Sequence, residues 1–264
     1  MALVQEKISD WRLIGLVKLI LEQGILEELK TWTPEKGVPQ GAVLSPVLSN
    51  LMLDDLDREL TRRGLRFVRY ADDCNIYVRS QRAGERVKAG ITRFLTKKLK
   101  LKVNESKSAV ARPSERKFLG FTFLRGPTPL RRIAPKALAK FKERIRELTR
   151  RARGVSLAQM IQSVRRYVIG WRAYFGFCET QSVFGELDGW IRRRLRSFLW
   201  KQWKRGRRRY QELVKRGLTA ELAAKAAKSS HGPWQQSRCR AMCRAFPNEY
   251  FHALGLPKLE VPRA

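Results

Sequence analysis

Apolar residues recur at every fourth position over one segment, the spacing of an amphipathic helix with one buried face. The stripe consists of Leu44, Leu48, Met52, Leu56 and Leu60. A loop over residues 37–41 precedes it, because glycine and proline bracket that stretch. The pattern therefore predicts a helix over residues 44–60.

The flanking segments alternate between helical and strand-like patterns. Apolar spacing predicts helices within residues 1–30 and a helix over 84–100, whereas Leu65–Val78 reads as two short strands. Residues 101–110 predict a strand with a turn at Asn104, and residues 117–124 a β pair bent at Gly120. This order predicts an antiparallel sheet backed by helices, an α+β layer.

A Gly-Pro-Thr-Pro segment at residues 126–129 is the best candidate for a linker. Beyond it, helical spacing covers residues 136–150, 157–174 and 187–205, and shorter helices follow. We therefore predict two domains, an α+β domain over residues 1–126 and an all-helical domain over residues 127–264.

The charge is positive and uneven. The chain carries 56 Lys and Arg against 24 Asp and Glu, a net charge of +32, and residues 131–216 alone hold 25 basic against 6 acidic side chains. Such a field favours a polyanionic partner, nucleic acid first and an acidic membrane surface second. Membrane insertion is not expected, because Lys18, Glu22 and Gln23 interrupt the longest apolar stretch. No secretory signal is expected from the first residues, and four cysteines without dense spacing suit a reducing cytosol.

Two adjacent carboxylates stand out in this basic chain, in Tyr70-Ala71-Asp72-Asp73 between the two predicted strands. Aspartate is common in hairpin turns, so the pair alone has an ordinary explanation. Paired carboxylates also hold the divalent cations that phosphoryl transfer requires. Three further motifs accompany the pair in order along the chain: Pro39-Gln40-Gly41 before it, then Asn104-Glu105-Ser106-Lys107 and Phe118-Leu119-Gly120-Phe121 after it.

Together these motifs resemble a reverse transcriptase palm of the group II intron type, over about Trp11 to Leu124. The resemblance implies RNA-directed DNA synthesis from an RNA template, a DNA primer and deoxynucleoside triphosphates, with Mg²⁺ as cofactor. It implies that Asp72 and Asp73 are catalytic metal ligands. Lys107 would be a general acid, although a solvated lysine is an equal alternative. The remaining implied residues are Pro39, Gln40, Gly41, Tyr70 and Ala71 for nucleotide and template, and Phe118, Leu119 and Gly120 for the primer grip.

The segment Tyr167–Phe175 resembles the thumb, or maturase X region, of the same family, which implies binding of intron RNA to assist splicing. Cations interleaved with aromatics suit an RNA backbone and unstacked bases. Trp171 has core spacing with Val164 and Val168. The helix predicted over residues 187–205 has one apolar and one cationic side. The candidate RNA-binding residues are Arg165, Arg166, Arg172, Tyr174, Arg192, Arg193, Arg194 and Arg196. The implied fold class is thus α+β, a partial right-hand polymerase palm followed by an all-helical thumb and X domain, in a cytoplasmic bacterial protein associated with nucleic acid.

The sequence departs from the family pattern at its start. A third metal-binding aspartate is expected on an earlier strand, but Asp10 is the only aspartate before Gly37 and lies between predicted helices. We therefore expect an N-terminally truncated enzyme, lacking fingers and the first catalytic strand and incomplete for polymerisation unless that segment is supplied in trans. The alternative is a catalytically inactive, maturase-like protein that binds intron RNA. A nucleotide-cyclising palm would explain the acids but neither the primer grip nor the basic helices. A metal site at Cys239, Cys243, His231 and His252 is a weaker hypothesis than helical core thiols.

Overall fold

A computed structural model describes residues 2–22, 25–27, 30–32, 43–150 and 154–260. The chain divides into two compact units, residues 1–111 and 112–264, each with its own core. This division by packing falls before the Gly-Pro-Thr-Pro segment. The functional domain boundary after residue 126 stays a prediction.

The described part of the first unit contains four helices and two antiparallel hairpins. The helices are α1 (Ala2–Lys7), α2 (Trp11–Leu21), α3 (Ser45–Arg62) and α4 (Gln81–Lys97). Strand β1 (Ile25–Glu27) pairs with β2 (Lys30–Trp32), and β3 (Arg66–Tyr70) pairs with β4 (Asp73–Tyr77).

The core of the first unit lies where α3 and α4 meet the β3–β4 hairpin. Leu56 and Leu60 of the predicted stripe are buried, together with Leu53 and Ile91. Each buried leucine contributes roughly 1.5–3 kcal/mol to the free energy of unfolding. The predicted helix is confirmed, and its buried face is what fixes α3 beneath the hairpin.

Two predicted elements of the first unit are wrong. Residues 25–27 form a strand where a helix was expected, and their partner strand, residues 30–32, begins at the last residue of the range predicted to be helical. Residues 101–110 form no strand; a turn covers residues 105–107 instead. There the Asn104 side-chain oxygen accepts hydrogen bonds from the Lys107 amide and the Ser106 hydroxyl. Such local bonds compete with a strand ladder for the same backbone groups.

The second unit is mainly helical. Strand β5 (Phe121–Phe123) pairs antiparallel with β6 (Arg131–Ile133). The helices that follow are α5 (Pro135–Leu148), α6 (Leu157–Phe175), α7 (Ser182–Gln202), α8 (Gly206–Val214), α9 (Ala220–Ala227), α10 (Pro233–Gln236), α11 (Arg240–Ala245) and α12 (Asn248–Ala253).

The strands correct two further expectations. Strand β6 interrupts the all-helical half, and β5 pairs with it rather than with residues 117–120, where Phe118 makes only a single bridge to Phe121. In the described residues the strands form three separate two-stranded sheets, not the single helix-backed sheet that was predicted. The α+β class itself is confirmed.

Aromatic side chains dominate the core of the second unit. The Trp171 ring is buried, as its spacing predicted, with its centroid 4.3 Å from that of Phe141 and 4.7 Å from that of Phe175. Trp200 on α7 is also fully buried. None of the described helices is long and apolar enough to span a membrane.

A segment near the end of the described chain, Gly255–Glu260, is fastened across α6 and α7; we call it the C-terminal strap. Arg165 Nη1 donates to the Gly255 carbonyl oxygen at 2.9 Å, and Arg172 Nη1 to the Lys258 carbonyl oxygen at 2.7 Å. The buried Asp188 carboxylate accepts from the Leu259 amide at 3.0 Å. Burial raises the pKa of Asp188 above its ordinary value of 3.8.

The burial of Asp188 predicts a pH-dependent stability. The raised pKa means that the folded state favours the protonated carboxyl, so this contribution is present below the unfolded pKa and lost as pH rises through the folded one. Asp188→Asn cannot ionise. We expect its free energy of unfolding to rise relative to that of the native chain as the pH increases above about 4, measured by urea denaturation. Glu186→Gln, an exposed carboxylate on the same helix, is the control; an equal trend in both would contradict the assignment.

Candidate functional site

The two adjacent aspartates lie at the tip of the β3–β4 hairpin. Tyr70 and Asp73 face each other as the last pair of the ladder, and Ala71 and Asp72 form the two-residue turn between them. Both carboxylates are exposed, and Ala71 has a φ of +52°, which non-glycine residues rarely adopt. The hairpin therefore displays two carboxylates on consecutive residues from a constrained turn.

An arginine holds this turn onto α3. Arg69 Nε and Nη2 donate to the two Asp57 carboxylate oxygens at 2.8 and 2.6 Å. Arg69 Nη1 donates to the Asn50 side-chain oxygen and to the Ala71 carbonyl oxygen, both at 2.9 Å. The Arg69 side chain is only 12% exposed. We call Arg69, Asp57 and Asn50 the turn clamp, because it fixes the peptide that leads into Asp72.

The donor atoms at the tip suit a hard cation. Carboxylate oxygens are the ligands that Mg²⁺ prefers. The neighbouring Cys74 packs against the core of the first unit, and burial raises the pKa of its thiol to about 11. Within the described residues no three His, Cys, Asp or Glu side chains cluster as a metal site. The described residues include Cys239, Cys243, His231 and His252, so the metal site predicted from these four residues receives no support.

The other residues implied for the polymerase site differ in what the structure says of them. Pro39, Gln40 and Gly41 lie outside the described residues. Lys107 is exposed in the turn that Asn104 closes. Its role as an acid stays a prediction.

The predicted primer grip is a tight turn packed on α6. The Phe118 and Phe121 backbones exchange two hydrogen bonds of 2.9 Å across Leu119 and Gly120. These central residues have φ angles of +50° and +79°, the signs of a type I′ turn. The Tyr174 hydroxyl donates to the Leu119 carbonyl oxygen at 3.0 Å.

Gly120 cannot carry a side chain without displacing its neighbour. A Cβ there would lie 3.0 Å from Cε1 of Phe175, and the positive φ adds strain. The glycine therefore permits the close approach of this turn to α6.

The leucine at the first central position of this turn is strained. A left-handed non-glycine residue costs roughly 1–2 kcal/mol, and asparagine tolerates that conformation better. We expect Leu119→Asn to raise the free energy of unfolding by about 0.5–1 kcal/mol, measured by urea denaturation. Leu130→Asn is a matched control, because Leu130 is 39% exposed against 38% for Leu119 and is not left-handed. Equal losses in both variants would show that Leu119 is unstrained.

The arginines predicted to bind RNA on α6 fall into two groups. Arg165 and Arg172 hold the C-terminal strap. Arg166 is exposed, and Tyr174 is 49% exposed although its hydroxyl anchors Leu119. Arg166 is thus the α6 cation best placed to meet a phosphate.

The arginines on α7 are more deeply packed than a cationic helix face would be. Arg196 is 9% exposed, and its Nε and Nη2 donate to the Phe246 carbonyl oxygen at 2.9 and 2.8 Å. Arg193 lies 3.8 Å above the Trp234 ring, and Arg194 Nε donates to Thr149 Oγ1. Arg192 is half-buried. Contact of these four residues with RNA stays a prediction. The packing of Arg196 gives this residue a structural role.

Sequence reasoning did not identify the turn clamp. Arg69 directly precedes the tyrosine of the acidic motif, and Asp57 lies beside the stripe on α3. An isolated cation and an isolated anion in these positions have no distinctive spacing, so only the fold reveals the pair.

Comparison with known proteins concerns the domains of this chain. A model described as reverse transcriptase (RNA-dependent DNA polymerase) matches residues 6–123, and one described as group II intron, maturase-specific domain matches residues 138–217. Protein YkfC of Escherichia coli is 27% identical over 158 residues, 47% of this chain and 40% of YkfC. The group II intron-encoded protein LtrA of Lactococcus lactis is 34% identical over 67 residues, 25% of this chain and 11% of LtrA.

These matches place the acidic hairpin and the primer-grip turn in the first matched region and α6 in the second. The aligned parts span less than half the length of either relative, so the comparison concerns domains rather than whole proteins. The two domain matches occur in the order that the sequence motifs predicted, with the intron-encoded relative in agreement. The chain belongs to the group II intron reverse transcriptase and maturase family.

Proposed function

We propose that the β3–β4 hairpin is the metal-binding element of an RNA-directed DNA polymerase. The observation that carries this proposal is the exposed Asp72 and Asp73 pair on a turn that Arg69 holds against α3. When bound, Mg²⁺ supplies charge neutralisation for the attacking and leaving oxygens of phosphoryl transfer.

The remaining roles belong to residues of this chain. Asp72 and Asp73 hold the cation, Lys107 gives a proton to the departing pyrophosphate, and the Phe118-Leu119-Gly120 turn supports the primer end. Pro39, Gln40, Gly41, Tyr70 and Ala71 contact the template and the incoming deoxynucleoside triphosphate. In this proposal residues 1–126 act as a partial palm.

Primer extension tests this proposal. The purified chain is given an RNA template, an annealed DNA primer, deoxynucleoside triphosphates and Mg²⁺. Template-dependent extension that stops on chelation of the metal would support the polymerase. If extension requires the addition of an N-terminal fragment of a relative, a third metal ligand is supplied in trans. No extension under either condition would contradict the polymerase.

The second domain, residues 127–264, is proposed to be a thumb and maturase region that binds intron RNA and assists its splicing. The supporting observation is the exposed basic surface, which includes Arg166 and residues 204–208. Counterion release predicts that the affinity for RNA falls linearly with salt on a double logarithmic scale. Filter binding of intron RNA at several salt concentrations measures this slope. Nucleic-acid association in the bacterial cytoplasm fits the same charge.

A non-enzymatic function is the second candidate. The described residues show two carboxylates at the hairpin and no cluster of three. A maturase-like protein that binds intron RNA without polymerising needs only the basic helical domain. Tight, salt-dependent RNA binding together with absent primer extension would favour it.

A further inference from the structure

A cleft between α5, α7 and α10 has the chemistry of a nucleotide site. Its volume is about 300 Å³, and it is lined by Arg146, Thr149, Trp190, Arg194, Ser197 and Trp234. Small-ligand sites span roughly 300–1,000 Å³, so the cleft suits a single small group rather than an extended chain. No acidic side chain is among the six residues.

Indole rings and guanidinium groups alternate around this cleft. The Cζ atoms of Arg146 and Arg194 lie 5.7 and 5.4 Å from the Trp190 ring centroid, within range of cation–π attraction. Trp234, which is 38% exposed, has Arg193 on its ring at 3.8 Å. The cleft therefore combines flat apolar surfaces with fixed positive charge.

The positions of these groups are fixed by the fold. Arg194 Nε donates to Thr149 Oγ1, and Arg193 Nη2 donates to the Trp234 carbonyl oxygen at 3.1 Å. Arg146 is exposed on α5 and enters no ion pair among the described residues. Its charge, beside the Trp190 ring, is available to a phosphate, whereas the hydrogen bonds of Arg193 and Arg194 hold them beside Trp234 and Trp190.

We infer that this cleft receives one unstacked nucleotide of single-stranded RNA, with the base against the Trp190 and Trp234 indoles and a phosphate at Arg146. This inference rests on the proposed binding of intron RNA and adds a specific subsite to it. Unstacked bases splay onto aromatic side chains, and guanidinium groups pair with phosphate oxygens. A duplex offers no free base, so single-stranded RNA is the preferred ligand.

Two variants of the full chain separate stacking from charge. Trp234→Ala should weaken binding of a single-stranded RNA of about ten nucleotides by roughly 5- to 100-fold, with an unchanged salt slope. Trp234→Phe, which keeps an aromatic face, should restore most of the affinity. Arg146→Gln should weaken binding and lower the salt slope by about one. Phe177→Ala removes a ring that is 67% exposed in the same unit and is the control.

Two further readouts complete the test. Ultraviolet crosslinking of the same RNA followed by mass spectrometry should place adducts on Trp190 or Trp234. Binding of inorganic polyphosphate, which has no bases, should be unaffected by Trp234→Ala.

If the native chain binds RNA and Trp234→Ala binds it equally well, the cleft assignment is wrong and RNA binding stands. If the native chain binds polyphosphate and RNA without preference and forms no crosslink here, the cleft assignment is also wrong. If the native chain binds no RNA, the proposed function itself fails.

Discussion

Replacing Asp72 with asparagine is expected to lower the rate of primer extension by at least about 100-fold, because it would remove one of the two adjacent carboxylates proposed to hold the metal. Asparagine has nearly the same shape as aspartate and is equally favoured in turns, so the hairpin should stay intact. The rate is measured in single-turnover extension of the annealed primer. The chain is used alone or with the added N-terminal fragment, whichever condition supports extension.

A metal-binding readout makes this prediction independent of turnover. Mn²⁺ binding followed by electron paramagnetic resonance should be weaker in Asp72→Asn than in the native chain. Glu85→Gln removes one exposed carboxylate from α4 in the same unit and should leave both measurements unchanged. Equal Mn²⁺ affinity in all three proteins would show that the hairpin is not the metal site.

Replacing Arg69 with alanine is expected to lower the free energy of unfolding of the first unit by about 2–3 kcal/mol. The change removes a bidentate, charge-assisted pair and leaves Asp57 with no cation at 2.6 Å. It also frees the Ala71 carbonyl, so the acidic turn loses its attachment to α3. Hydrogen exchange of the β3–β4 amides measures the local effect.

Two variants provide the comparison for Arg69→Ala. Arg66→Ala removes an exposed arginine from the same strand and should change stability by less than about 0.5 kcal/mol. Arg69→Lys keeps the charge but not the planar fork, so it should recover only part of the protection. If exchange at the hairpin is the same in Arg69→Ala and Arg66→Ala, the turn clamp does not hold the turn.

The sequence predicted the elements whose signal is local. The stripe on α3 has helical spacing and an apolar face, and the acidic hairpin has a two-residue turn between β-rich segments. Helices α5 and α6 were predicted almost to the residue for the same reason. Each pattern predicts its element because buried positions recur along the sequence with the period of a helix or a strand.

The sequence did not predict the features that depend on distant partners. Strand β6 is three residues long and begins with two arginines, so only its pairing with β5 makes it a strand. Arg196 lies in a run of cations that reads as a solvated face, yet its guanidinium is satisfied by a carbonyl 50 residues away. The turn clamp joins residues that are separately unremarkable. The metal role of Asp72 and Asp73 came from motif order and stays a prediction.

The C-terminal strap has a consequence for the order in which the protein folds during synthesis. Its anchors join residues far apart in sequence: Arg165 reaches Gly255 over 90 positions, and Asp188 reaches Leu259 over 71. At about 5–20 residues per second, the ribosome adds the 90 residues after Arg165 in roughly 5–18 s. For the later part of that interval, once residue 202 has been made, α6 and α7 lack their final covering segment and Asp188 has not yet met the amides that it accepts from. Closure of the helical unit is therefore one of the last events in its folding, whereas the β3–β4 hairpin can form once residue 77 has left the ribosome.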